Sequence, residues 1–363
     1  MKVLFFITEY FRDSQTGAGT QIRETVNALM SMGVEVTRIY VSFAPVKFKD
    51  VEGKELEHTK VAQIVQRHDV VHLIHCSRWL AEVWRSFPKK PSVGSTIYWG
   101  GWERVVIAFR TYKKGLSRIK AVLNAIRSMT SSYLDLRGVD VLLPNSYAEA
   151  ENVKKYARLS PNALFFPVNN GFLKPTFSLS TIERYHRLPK GEYIVVPGIC
   201  VNRKNQLGLI KALRNSSYQI VFLGGYEENS WYFSQCRKYA NERMSFLGYL
   251  QHDSLDYWSV LSHARCAVLP SDCETPGIAL IEAAYAGARP IVTKFGGTME
   301  YYGFDGEYFD PRSASEILEA VNRGWDRGRL SSVESEAYSR FSWNYCASLT
   351  KQAYKLAIQK GAK

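Results

Sequence analysis

Short apolar runs alternate with segments of helical spacing along almost the whole chain, and the alternation starts twice. Runs at 3–7, 34–41, 70–74, 93–98, 139–143 and 164–166 read as strands, with helical spacing at 20–32 and 148–156. After a polar joint at 178–191, strand-like runs return at 193–197, 219–223, 245–247, 266–269 and 290–293, with helical segments at 205–214, 230–241, 255–263 and 276–286. Strands this apolar, joined through helices, require parallel sheets covered on both faces. The 363 residues also exceed what one core accommodates. The expected fold is α/β: two Rossmann-like, doubly wound domains, 1–180 and 181–340, facing a cleft where ligands meet the carboxyl ends of the strands. Residues 341–363 are expected to add an amphipathic helix packing back on the first domain.

The first apolar run is too short for a signal peptide, and no stretch reaches the roughly 20 apolar residues that span a bilayer. Six scattered cysteines form no C-x-x-C pair, and no histidines cluster at zinc spacing. These features predict a cytoplasmic protein with neither disulfide framework nor metal site. The net charge of +13 is uneven: residues 1–185 carry 26 Lys/Arg against 16 Asp/Glu, the remainder 21 against 18.

Two segments carry the pattern of a phosphate or nucleotide site. Thr16-Gly17-Ala18-Gly19-Thr20 lies between the first strand and first helix, where glycines let backbone N–H groups approach a phosphate or simply make a tight turn. Ile22 stands where the dinucleotide fingerprint needs its third glycine, which argues against a dehydrogenase. The second segment runs from Ser271 to Ala284. Thr275 there is placed to cap a helix and Pro276 to occupy its first turn. Glu274 projects from the loop, and Glu282 lies two turns along an apolar helix. A carboxylate among Ile278, Leu280, Ile281 and Ala283 needs a partner. A ribose diol or a structural Arg or Lys would serve.

Glu274 and Glu282 form an E-x7-E motif that resembles the retaining GT-B glycosyltransferases of group 1, also called glycosyltransferase family 4. The continuation Glu282-Ala283-Ala284-Tyr285-Ala286-Gly287-Ala288-Arg289-Pro290, then Gly296-Gly297-Thr298-Met299-Glu300, is similar to that family's signature over about thirty residues. Weaker echoes include Gly17-Ala18-Gly19, Pro144-Asn145-Ser146 and Lys204-Asn205-Gln206. The resemblance implies sugar transfer from a nucleoside diphosphate with retention of configuration and no metal or other cofactor. The chain has no D-x-D motif. By the same resemblance Lys204 and Arg203 meet the phosphates, the backbone of Gly277, Ile278 and Ala279 lines the donor, and Glu282 takes the ribose hydroxyls. Glu274 is the reaction-centre carboxylate. Gly17, Gly19, Tyr249 and Thr298 complete the expected donor set, with Tyr249 in the loop that selects the base.

Two departures stand out. Gly198-Ile199 replaces the family's Gly-Arg pair, so either Arg203 supplies the second cation or the phosphate site is weaker. The strand at 95–98 runs into Trp99, where many members place a histidine, leaving Trp99, His72 and His75 as acceptor-side candidates. Seven cations between Arg104 and Leu134 face no acidic residue. Arg110, Lys113, Lys114, Arg118 and Lys120, interleaved with apolar residues, suit an anionic membrane surface or the solvated side of a core helix. No nucleic-acid module is recognisable. The combined expectation is a peripheral enzyme on the inner face of the membrane, acting on a glycan or lipid-linked acceptor in surface polysaccharide synthesis. A sugar-nucleotide epimerase and a non-catalytic sugar-nucleotide-binding protein are the alternatives.

Overall fold

The computed structural model describes residues 1–14, 16–98, 119, 123 and 134–361. These divide into two compact units: one holds the described residues up to Gly171 together with 342–361, and the other is Phe172–Phe341. The final helix, Trp343–Gly361, therefore belongs to the first unit, where it packs on the helix Gly17–Ser31.

In the first unit the strands are β1 (Lys2–Thr8), β2 (Glu35–Ser42), β3 (Lys47–Lys49), β4 (Glu55–Leu56), β5 (Val70–Leu73), β6 (Ser92–Ser95), β7 (Leu134–Asp135), β8 (Val141–Leu143), β9 (Ala157–Arg158) and β10 (Leu164–Phe165). Eight form one sheet in the order β10-β8-β6-β5-β1-β2-β3-β4, while β7 pairs with β9. All neighbours in the large sheet are parallel except β2–β3 and β3–β4. Val3 to Ile7 of β1 are fully buried, as a central parallel strand demands.

The strand expected over 93–98 ends at Ser95 because a buried carboxylate takes over the backbone. Glu149 accepts from the Thr96 hydroxyl, the Tyr98 N–H and the Asn145 N–H, each at 2.8 Å. The ends of two neighbouring strands are thereby tied to the helix Tyr147–Tyr156.

The second unit contains β11 (Ile194–Pro197), β12 (Ile220–Leu223), β13 (Met244–Gly248), β14 (Cys266–Leu269), β15 (Arg289–Thr293) and β16 (Glu307–Phe309), all parallel, in the order β13-β12-β11-β14-β15-β16. Alternate side chains feed two cores. Val195, Val221, Ala267 and Val292 pack with the helices Leu255–Ser262 and Ile278–Tyr285. Ile194, Ile220, Val268 and Ile291 pack with Gln206–Leu213, Trp231–Tyr239 and Ala314–Arg327. Each Val or Ile side chain among them contributes about 1.5–3 kcal/mol when fully buried, which explains why these strands read as unbroken apolar runs.

His72 on β5 is fully buried, with Nδ1 on the Tyr354 hydroxyl and Nε2 on the Ser95 hydroxyl, both at 2.7 Å. Burial pulls its pKa down to about 3. The unfolded chain therefore binds a proton at His72 that the native chain refuses between pH 6.5 and about 3, and stability is lost as pH falls through that window. From pH 6.5 to 5 the loss from this group is about 2 kcal/mol. Urea unfolding at the two pH values should show it, and His72→Asn should flatten the dependence by that share.

Candidate active site

In the second unit, β11 and β14 are neighbours whose outgoing connections run to opposite sides of the sheet, which opens a crevice at their carboxyl ends. The loop after β11 makes a short 3-10 turn, Asn202–Lys204, before the helix Gln206–Leu213. Arg203 of that turn is exposed and Lys204 is buried. The loop after β14 brings in Ser271 and Glu274. The two loops are stitched by a bond from the Asp272 N–H to the Arg203 carbonyl at 3.0 Å.

Lys204 and Glu274 meet directly through Nζ and Oε2, with side chains only 11% and 9% exposed. Ser271 donates to the same carboxylate oxygen at 2.7 Å. Burial alone would push the Glu274 pKa up, but Lys204, Arg203 and the donated hydrogen bonds outweigh it and hold the carboxyl below its usual range. Burial also pulls the Lys204 ammonium down, against the attraction of Glu274. A charge pair so far from water persists because each partner satisfies the other.

The backbone of Glu274 is fixed by a parallel bridge to Gly296, with Glu274 N–H on the Phe295 carbonyl and Gly297 N–H on the Glu274 carbonyl, both at 3.1 Å. Gly296 has φ 107°, and a Cβ there would lie 2.0 Å from the Glu274 carbonyl oxygen. The glycine of the sequence signature thus permits close backbone approach.

The helix expected to start at Pro276 under a Thr275 cap begins instead at Ile278, with Gly277 as N-cap at φ 77° and no side-chain cap. The reason is a left-handed turn held by Tyr302, whose hydroxyl donates to the carbonyls of Pro276 at 2.8 Å and Gly277 at 3.3 Å. The N–H groups of Ile278 and Ala279 find no acceptor among the described residues and lie at the positive end of the helix. An anion is the natural partner for such donors.

Glu282, on the same helix, is 4% exposed. It accepts from the Tyr257 hydroxyl at 2.5 Å, and His252 Nδ1 lies 3.5 Å from the same oxygen, Oε2. Tyr249 stands exposed on the loop after β13, its ring centroid 6.5 Å from that of His252. Thr298 is buried and donates to the Thr293 carbonyl at 2.8 Å, which occupies its hydroxyl with the turn after β15.

Lys204, Arg203, Glu274, Gly277, Ile278, Ala279, Glu282 and Tyr249 all belong to the second unit, whereas Gly17, Gly19, His72 and His75 belong to the first. Gly17 opens the helix Gly17–Ser31, which Thr16 caps by accepting from the Gly19 N–H. His72, saturated at both nitrogens inside the sheet, has a structural role there and presents no free atom to an acceptor. His75 has φ 51°, stacks on Phe11 at 4.5 Å, and burial lowers its pKa to about 4. It also lines a cavity of about 490 Å³ with Phe43, Trp79, Ile97 and Tyr98. Trp99, Arg110, Lys113, Lys114, Arg118 and Lys120 lie outside the described residues. Sequence reading missed Ser271, Tyr257, Tyr302 and His252. Ser271 stands inside the motif segment, but nothing local marks Tyr257 as the partner of a residue 25 positions away.

Residues 181–331 match the sequence model described as glycosyl transferases group 1. Over that stretch the chain is similar to the group 1 glycosyl transferases. An uncharacterized glycosyltransferase of Methanocaldococcus jannaschii is 26% identical over 157 residues, 41% of this chain and 40% of that protein. The O-antigen chain mannosyltransferase B of Escherichia coli is 25% identical over 194 residues, 50% of each chain. The chain thus spans half or less of the length of these curated relatives. Among solved structures, a glycosyltransferase of Rickettsia africae superposes with TM-score 0.67 at 15% identity, covering 99% of this chain and 98% of that one. HepE of Anabaena, solved with UDP, gives TM-score 0.58 at 15% identity, covering 100% and 98%. The fold is GT-B, built from two Rossmann-like units.

Lys204→Met would strand the Glu274 charge in a buried site, so the variant should lose about 3–5 kcal/mol. Urea denaturation should show that loss, and the double variant Lys204→Met/Glu274→Gln should recover a large part of it.

Proposed function

We propose that this chain is a retaining glycosyltransferase that moves a sugar from a nucleoside diphosphate sugar to a glycan or lipid-linked acceptor in surface polysaccharide synthesis. The observation that carries the reading is the meeting, in one strand-end crevice, of Lys204, Arg203, Glu274 and the unpaired N–H groups of Ile278 and Ala279. The departing nucleoside diphosphate builds up negative charge on its β-phosphate. Fixed cations and aligned backbone donors stabilise that charge without reorganising. In this scheme they do so without a metal ion or cofactor. Glu274, kept ionised, faces the sugar carbon as positive charge develops there and steadies it, while Glu282 accepts from the ribose hydroxyls. UDP bound to HepE, of the same fold, supports a nucleotide at such a site.

The acceptor would use the first unit. Its cavity beside His75 offers the rings of Phe43, Trp79 and Tyr98, whose faces suit the C–H face of a pyranose or the apolar part of a lipid-linked glycan. The similarity to an O-antigen mannosyltransferase points to the same acceptor class. The basic segment between Arg104 and Leu134 would hold the enzyme to the cytoplasmic, anionic face of a membrane.

Thermal unfolding with UDP, GDP, dTDP and CDP tests the donor site directly. One nucleotide at about 100 times its dissociation constant should add roughly 2.7 kcal/mol of stability, and the absence of any shift would count against the site. With the matching donor sugar, Glu282→Ala should raise KM about tenfold or more, since a charged hydrogen bond is worth about 1.5–3 kcal/mol. Glu274→Gln should instead lower kcat by about 100-fold with donor affinity little changed. Sedimentation with phosphatidylglycerol vesicles should show binding that weakens as salt rises and drops when Lys113, Lys114 and Arg118 are neutralised.

A further inference from the structure

Glu282 is held unsymmetrically. Two side chains from outside its helix converge on Oε2: the Tyr257 hydroxyl from the helix Leu255–Ser262 and His252 Nδ1 from the loop after β13. Among the described residues no other side chain bonds to the carboxylate, so Oε1 is left to accept from a ligand. The His252 ring rests on the Tyr257 ring at 4.6 Å between centroids, tilted by 43°, and Tyr249 flanks it on the outer side. Glu282, Tyr257 and His252 therefore form a contiguous cluster: Tyr257 bonds the carboxylate, and the His252 ring packs on Tyr257 with Nδ1 3.5 Å from the same oxygen.

The two anchors differ. Tyr257 is fully buried and comes from a packed helix, whereas the His252 side chain is about half exposed and rides on the same loop as Tyr249. A carboxylate tied only by Tyr257 can still rotate about its terminal bond. The His252 ring, approaching the same oxygen from another direction, restricts that rotation and so biases where Oε1 points. The loop that would meet the nucleobase is thus linked through one imidazole to the carboxylate that would meet the sugar ring.

We propose that His252 is a positioning residue that sets ribose specificity: it holds Glu282 so that Oε1 receives the vicinal hydroxyls, and so lets the site tell a ribonucleotide from its 2′-deoxy counterpart. This rests on the reading of Glu282 as the ribose acceptor given above. A site built to bond a hydroxyl discriminates strongly against the analogue lacking it, provided the acceptor is held in place. Without His252, Glu282 would turn to water or collapse onto Tyr257, and the 2′-hydroxyl would lose its advantage.

The test is calorimetric titration of the full chain with whichever of UDP, GDP, ADP and CDP binds most tightly, and with its 2′-deoxy form. The proteins are the unaltered enzyme, His252→Leu, His252→Asn and Glu282→Gln. The unaltered enzyme should prefer the ribonucleotide by about tenfold or more, the size expected of one hydrogen bond to a charged group. His252→Leu should weaken the ribonucleotide and leave the deoxy form within about twofold, bringing the ratio near one. His252→Asn, whose amide N–H can stand where Nδ1 does, should restore most of the ratio, which a purely space-filling role would not predict. An unchanged ratio in His252→Leu, with Glu282→Gln still abolishing the preference, would overturn the role of His252 alone. A preference that survives Glu282→Gln would overturn the ribose assignment of Glu282, and the present proposal with it.

Discussion

A parallel sheet has both faces sealed by helices, and that constraint orders everything else in this molecule. With Ile194, Val195, Val196 and their neighbours buried on both sides of the second sheet, polar chemistry has no outlet through a face. It emerges at the strand ends. Where β11 and β14 lie side by side and their connections part, the chain is free to place charged groups without breaking the core. Lys204 follows one strand and Glu274 the other. The same logic in the first unit puts the aromatic cavity and His75 just beyond β5.

Charge burial at that crevice is balanced locally. Taking a lysine and a glutamate out of water costs several kcal/mol each, and the direct pair, the Ser271 hydroxyl and nearby Arg203 offset it. The arrangement is consequently preorganised toward an anion. Lys204 is already desolvated, the helix N–H groups already point outward, and Tyr302 already fixes the turn that presents them. On the proposed function, a diphosphate entering the crevice would exchange partners with Lys204 without having to strip it of solvent.

Much of this was legible in the sequence, for identifiable reasons. Doubly buried strands leave unbroken apolar runs, so every strand of the two large sheets except β3, β4 and β16 was visible, and the spacing from Glu274 to Glu282 marked two carboxylates that needed partners. Boundaries failed where a side chain intervened in the backbone. Glu149 ends β6 early, and Tyr302 delays the helix at Ile278. His72 looked available because a histidine on a strand has no sequence mark of burial, and its partners Ser95 and Tyr354 are 23 and 282 residues away. Tyr257 and His252 escaped notice likewise, since their meeting with Glu282 is made by the fold and not by spacing.

The contact between Gly296 and the carbonyl of Glu274 has a consequence for reading genetic data. Gly296 belongs to the segment after β15, far from Glu274 in sequence and bearing no functional group. Any side chain introduced there would press on the Glu274 peptide and displace its carboxylate. On the proposed function, such an allele would yield a protein that folds yet transfers no sugar. A survey scoring activity alone would assign it to the catalytic machinery, although its defect is one of spacing between two stretches of main chain.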